Sequence, residues 1–235
     1  MKLLMESRPV GEVLIVQCTG RIVSGNEVLR MHAYVGDAIA KYGDVVLQMD
    51  EIDFIDSSGL GALVRLLQTA RSKGGDLKLS LVPPNIKKTL EMTHLLSQFE
   101  TYDSVEEAIT AAYLGSRYSQ AKDGDARPRV ICVYESADVC TFLRELLCSS
   151  GYSALTTLNM SDAKILLKAT KAKLAVVSSR MQHALGKPVV QLLQEIEPGV
   201  SVVFLDGNFA TQDPGEAAEL VLNGIRDAGA AGKIA

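Results

Sequence analysis

The sequence predicts two α/β domains in tandem, and three observations carry that expectation. Short apolar, β-favouring runs alternate with segments of helical apolar spacing along the 235-residue chain, the order that builds parallel sheets with helical crossovers. A polar stretch without apolar periodicity, Ser116 to Pro128, interrupts the alternation midway. The runs Val45-Val46-Leu47, Val130-Ile131-Cys132-Val133 and Leu174-Ala175-Val176-Val177 are apolar throughout, as in strands covered on both faces. The expected division is a first domain over 1–116, a linker over 117–128 and a second domain over 129–235.

In the first domain, Glu12 to Cys18 reads as a strand closed by Gly20, and Arg21-Ile22-Val23 as a second short strand. Asn26 to Tyr42 reads as a helix with Val28, Leu29, Ala33, Val35 and Ile39 on its apolar side and a stop at Gly43-Asp44. Val45 to Met49 is a buried strand that runs into acids. A helix follows from near Ser57 to Gly74-Gly75. Leu77 to Val82 alternates with period two and reads as a strand ended by Pro83-Pro84. Asn85 to Met92 and Val105 to Tyr113 read as helices, with Phe99 to Tyr102 a last strand between them.

In the second domain, the strand at Val130 is followed by an amphipathic helix from Ala137 to Ser150 that stops at Gly151. Ala154 to Leu158 is a strand, and Ser161 is the expected cap of a helix through Lys171, with Asp162 placed for its dipole. Val189 to Ile196 is a helix, Val200 to Leu205 a fourth strand and Pro214 to Ala228 a final helix, giving a doubly wound α/β pattern. Gly224, Gly229 and Gly232 predict a frayed end.

Composition excludes several classes of function. A net charge of −4 and the lack of a basic patch argue against nucleic acid as a partner. No window approaches the roughly 18 apolar residues of a membrane span. Met1 to Pro9 is too short and too soon charged for a secretory signal, so a cytoplasmic location is expected. The four cysteines (Cys18, Cys132, Cys140, Cys148) form no C-x-x-C pair and read as reduced, buried thiols. The three histidines (His32, His94, His183) lack zinc-like spacing, and no metal or cofactor is expected.

The segment with most chemical content is Phe54-Ile55-Asp56-Ser57-Ser58-Gly59-Leu60-Gly61. It places two hydroxyls where a strand ends and a helix begins. Asp56 or Ser57 can cap the helix, and Ser58 then falls in the first turn, where the dipole favours added negative charge. Gly59 and Gly61 let backbone come close to a neighbour. The bland alternative is an ordinary capping sequence. Enzyme readings fit poorly. Gly59-Leu60-Gly61-Ala62-Leu63-Val64 half matches G-x-G-x-x-G, but Val64 replaces the third glycine and the next strand ends without an acid. A nucleophile elbow lacks its glycines, since Ile55, or Asp56 and Leu60, stand there, and no P-loop occurs.

The motif Ile55-Asp56-Ser57-Ser58-Gly59-Leu60-Gly61, at this point in this order of elements, resembles the STAS family of anti-sigma factor antagonists, over about residues 8–115. The resemblance implies a mixed sheet with helices. It implies that Ser58 is phosphorylated by an anti-sigma factor serine kinase and restored by a PP2C-type phosphatase. It further implies that Asp53, Asp56, Ser57, Ser58, Gly59 and Leu60 lie at the partner-binding site, beside an acidic rim that includes Asp50 and Glu51. The chain would then be a regulator and not an enzyme. The alternatives kept open are a scaffold or subunit of a larger STAS-containing signalling or transport-linked assembly without a phosphoswitch, and a small-molecule or nucleotide sensor using the groove near Ser58.

The second half resembles a response-regulator receiver, a flavodoxin-like fold, over about residues 129–210. The likeness rests on Val130 to Glu135, Phe142 to Leu147, Gly151-Tyr152, Leu174 to Met181 and Pro198 to Leu205. It departs from the receiver pattern where that pattern does chemistry. The acid pair reads Tyr134-Glu135, the acceptor aspartate is Ser178, the expected hydroxyl is Asp206, and the fifth strand with its lysine is not recognisable. Too few oxygen ligands remain for a hard cation, although Glu135 and Asp206 could face each other. A degenerate receiver used for homodimerisation or docking is the resulting expectation.

Overall fold

The computed structural model describes residues 2–115, 127–181, 183–184 and 187–231, so residues 117–126 of the expected linker lie outside the described residues. The chain divides into two compact units, Met1–Ala121 and Lys122–Ala235.

In the first unit a five-stranded sheet has the order β1-β2-β3-β4-β5. Its strands are β1 (Leu4–Val10), β2 (Val13–Ile22), β3 (Asp44–Ile55), β4 (Leu77–Ser80) and β5 (Thr101–Tyr102). β1 runs antiparallel to β2 and the other neighbours are parallel, so the sheet is mixed. The crossover helices are α1 (Asn26–Tyr42), α2 (Ser57–Ser72), α3 (Pro84–Met92) and α4 (Val105–Leu114).

β1 is absent from the sequence expectation, because Glu6-Ser7-Arg8-Pro9 carries no strand signature. It forms because β2 offers an edge, and an edge strand tolerates both polar residues and proline. Gly11, at φ 62°, turns the chain so that Val10 pairs with Val13. Gly20 does not close β2. It sits at φ 103° beside a register shift at Gly20/Arg21, so the two expected strands fuse through a bulge.

α1 occupies the expected span, but its buried stripe is Met31, Val35, Ala38 and Ile39, and Leu29 is 68% exposed. β3 is longer than expected: Asp50, Glu51 and Asp53 lie within the strand and not in a loop after it. All four residues of β4 are buried, including Lys78, so its period-two pattern does not mark a solvated face. The Lys78 ammonium bonds Asp76 at 3.1 Å and also Glu100.

The second unit holds a parallel four-stranded sheet in the order β11-β8-β6-β7. In chain order it contains β6 (Arg129–Val133), α5 (Ala137–Ser149), β7 (Ser153–Thr157), α6 (Met160–Thr170) and β8 (Leu174–Ser178). Then come a two-residue ladder of β9 (His183–Ala184) with β10 (Lys187–Pro188), α7 (Val189–Gln194), β11 (Ser201–Leu205) and α8 (Pro214–Ala231). Val130, Cys132, Val176 and Leu205 share one core with α5 and α8. The intervening Ile131 and Val133 are buried too, so the sheet is covered on both faces.

Three expectations change here. The cap of α6 is Asn159, whose side chain accepts the Asp162 N–H at 2.9 Å and donates to the Asp162 carboxylate at 2.8 Å; Ser161 lies inside the helix. α8 continues past Ala228 to Ala231, and Gly224 stands within it against Val203, while Gly232 lies outside the described residues. Cys18, Cys132 and Cys140 are buried, but Cys148 is exposed. Burial pushes the Cys18 thiol up to about 12 and the Cys140 thiol to about 11, so neither is a nucleophile at neutral pH.

Candidate functional site

The site forms where β3 hands over to α2. Strand pairing of β2 with β3 persists to Ile22 and Ile55, which fixes the last residue before the turn. Asp56 then leaves the strand at φ −96°, ψ 179° and becomes the N-cap of α2. Its Oδ1 accepts the Gly59 N–H at 2.8 Å, the bond expected of a capping carboxylate. Its Oδ2 accepts the Ser24 N–H at 2.8 Å, so the same side chain also holds the loop between β2 and α1. The Asp56 N–H in turn donates to the Ile22 carbonyl at 3.1 Å. The Ser24 and Gly59 N–H groups hold the Asp56 carboxyl below the usual aspartate range.

This anchoring decides which motif residues face solvent. Ser57 and Ser58 occupy the first two positions of α2 and are exposed, so both hydroxyls stand at the positive end of the helix. Gly59 and Leu60 are buried, so they shape the site from beneath and offer no side-chain surface of their own. A Cβ on Gly59 would lie 2.4 Å from the Ile22 carbonyl oxygen. Gly61 is different: the nearest atom to a Cβ there is Nη1 of Arg65, at 3.5 Å. Ser58, Gly61 and Arg65 share a helix face, so the Arg65 guanidinium lies back toward the turn that carries Ser58.

Around the serines, Asp53 is exposed and its backbone carbonyl accepts the Asn85 Nδ2–H at 2.8 Å, which ties the start of α3 to the end of β3. Asp50 accepts from Gln48 at 3.0 Å and Glu51 from Thr19 at 2.8 Å, so these two acids are held along the strand. The sequence reading missed Phe54, which is 45% exposed, with the Arg21 guanidinium carbon 4.9 Å from its ring centroid. A signal existed: Phe54 and Ile55 are adjacent in a strand and must point to opposite faces, and Ile55 belongs to the core.

In the second unit, Ser178 is fully buried and its hydroxyl donates to Glu135 Oε1 at 3.1 Å. The Arg180 N–H donates to Ser178 Oγ at 3.3 Å, and the Arg180 guanidinium reaches the Gly207 carbonyl at 2.9 Å. Tyr134 is buried against Phe209. Among the described residues, no group of three or more His, Cys, Asp or Glu side chains stands ready for one ion.

Residues 5–108 match the STAS domain. The N-terminal unit therefore has a STAS fold, with Asp56 to Gly61 at the strand-to-helix turn described above. The anti-sigma F factor antagonist of Paenibacillus polymyxa is 28% identical over 111 residues, which cover 47% of this chain and 95% of that protein. A Thermotoga neapolitana protein described as a TM1081 homolog is 33% identical over 70 residues, 29% of this chain and 60% of that one. Among solved structures, an anti-sigma factor antagonist from Mycobacterium paratuberculosis is 18% identical with a TM-score of 0.42, over 47% of this chain and 94% of that chain. No helix among the described residues is long and apolar enough to cross a membrane.

Proposed function

We propose that the STAS unit is an anti-sigma factor antagonist whose binding face is switched by phosphorylation of Ser58. The carrying observation is that Ser58 is exposed in the first turn of a helix whose cap, Asp56, is fixed from two directions. Ser57 is equally exposed, and the choice of Ser58 rests on the resemblance of the motif. The unmodified face, with Asp53, Ser57 and Ser58 outermost and Phe54 beside them, binds an anti-sigma factor serine kinase. A PP2C-type phosphatase returns the phosphorylated form to the binding state.

The switch follows from charge. A phosphate adds about −1.5 to −2 at neutral pH. The α2 N-terminus receives that charge within the fold, so the domain survives its arrival. A partner surface packed on a neutral hydroxyl instead meets a hydrated dianion beside Asp53 and Asp56. A loss of about 3 kcal/mol weakens binding roughly a hundredfold.

We assign the second domain, 129–235, as a degenerate receiver that serves docking or homodimerisation. The position that would hold a phosphoacceptor carboxylate is Ser178, whose hydroxyl is committed to Glu135. Incubating the full chain with the candidate kinase and ATP, then mapping phosphate by mass spectrometry, tests the proposal. Phosphate on Ser58 supports it; a stable large assembly with no phosphate on Ser58 favours the scaffold alternative.

A further inference from the structure

The parallel sheet of the second unit ends at β11, and among the described residues no strand pairs with its outer side. The Ser201 N–H donates to the Lys173 carbonyl at 2.9 Å, so Ser201, Val203 and Leu205 turn their backbone groups toward β8. By alternation Val202 and Phe204 turn theirs outward. β8 is buried throughout, but Ser201, Val202, Val203 and Phe204 are half-buried. A row of open N–H and C=O groups thus lies beside apolar side chains, which is a template for one more strand.

The sheet edges of the two units are guarded differently. β1 carries Glu6, Arg8 and Pro9, and β5 is two residues long, both devices that blunt an edge. Ser201-Val202-Val203-Phe204-Leu205 has no charge and no proline. β7, the opposite edge of the same sheet, holds the Ser153 N–H on the Pro128 carbonyl at 3.0 Å and so turns Ala154 and Thr156 outward. Alanine opposite threonine is a poorer cross-strand pair than valine opposite phenylalanine, so β11 is the stickier edge.

A second copy of β11 fits this edge because the strand is complementary to itself. Antiparallel pairing about a two-fold axis at Val203 sets Val202 of each copy opposite Phe204 of the other. These are the residues with outward backbone groups, so each pair exchanges both of its N–H···O bonds. A β-branched residue then faces an aromatic one, and no like charges meet across the axis. α8 comes close over the strand, where Gly224 lies against Val203. Leu220, one turn earlier on the same helix face, is 42% exposed and extends the apolar surface.

We infer that β11 is a homodimerisation edge, pairing antiparallel with β11 of a second copy and joining two four-stranded sheets into one. The inference rests on the homodimerisation reading of the second domain and names its surface and register.

Sedimentation velocity and residue-resolved hydrogen exchange of the full chain, from about 1 µM to about 1 mM, test it together. A dimer with a Kd of about 10–100 µM is expected. The Val202 and Phe204 amides should exchange freely at the low concentration and at least about fivefold more slowly at the high one, with Val203 protected at both. Val202→Pro removes an outward N–H at a position where an edge strand tolerates proline, and should raise the Kd at least about tenfold. Should that variant disturb the fold, the exchange pattern of the unaltered chain decides alone. A dimer whose Val202 and Phe204 amides still exchange freely overturns the inference and leaves the homodimerisation reading standing. So does an unchanged Kd in folded Val202→Pro. A chain that stays monomeric to about 1 mM overturns both together.

Discussion

The carbonyl oxygen of Ile22 lies 2.4 Å from where a Cβ on Gly59 would stand, and the same oxygen accepts the Asp56 N–H at 3.1 Å. The oxygen is backbone in a paired strand and already bonded, so it cannot withdraw. Gly59→Ala should therefore destabilise the unit by about 3 kcal/mol. Gly61→Ala, with only the flexible end of Arg65 nearby, should be neutral or gain about 0.5–1 kcal/mol from helix propensity. Urea midpoints of the two variants check the contrast.

Asp56 makes the stability of the site depend on pH. Its folded pKa is lowered by the Ser24 and Gly59 N–H groups, so its contribution is present above the unfolded value of about 3.9 and is lost as pH falls through the folded value. Asp56→Asn can keep a cap bond to Gly59 but cannot accept from both N–H groups and does not titrate. The variant should be less stable at neutral pH by about 1 kcal/mol. That difference should shrink as pH falls below about 4. Denaturation of both proteins across pH 7 to about 2.5 measures it.

Much of this architecture was legible because periodicity and turn residues agreed, as they do for α2 and β8. The Asp56 cap was legible for the same reason. What escaped depended on partners distant in sequence. β1 exists only because β2 presents an edge to it. Gly20 stays within β2 because a bulge absorbs its positive φ. The second role of Asp56, holding Ser24, spans 32 residues and has no local signature. The family resemblance puts Gly59 and Leu60 at the partner-binding site, and the β2–α2 packing shows both buried.

Lys78 illustrates a buried charge that the fold has compensated. Burial alone would lower its pKa, yet the bonds from Glu100 and Asp76 outweigh burial and raise it. Its stabilising effect is thus present below the unfolded value of about 10.4 and is lost as pH rises through the folded value. Glu100 is lowered mainly by the Lys78 bond, then by Tyr102, so its part is lost in acid. Lys78→Met leaves Asp76 and Glu100 without their cation, so it should be less stable than the wild type at neutral pH by about 1–3 kcal/mol and should lack the alkaline decline. Thermal melts from about pH 7 to pH 11 test this.

Substitutions at the two serines should separate the switch from the helix cap. Neither hydroxyl caps α2, so Ser57→Ala and Ser58→Ala should each change stability by less than about 0.5 kcal/mol. Ser58→Ala should still bind the anti-sigma factor kinase but take no phosphate at that position. Ser58→Glu should bind it at least about tenfold more weakly. Calorimetric titration of the kinase with each variant reads both effects.

The most direct measurement compares the kinase affinity of the full chain carrying serine at position 58 with that of the same chain carrying phosphoserine there, installed during synthesis. Circular dichroism establishes that both are folded. The account predicts that phosphoserine weakens binding about a hundredfold with the fold intact. Equal affinity of the two folded forms contradicts it.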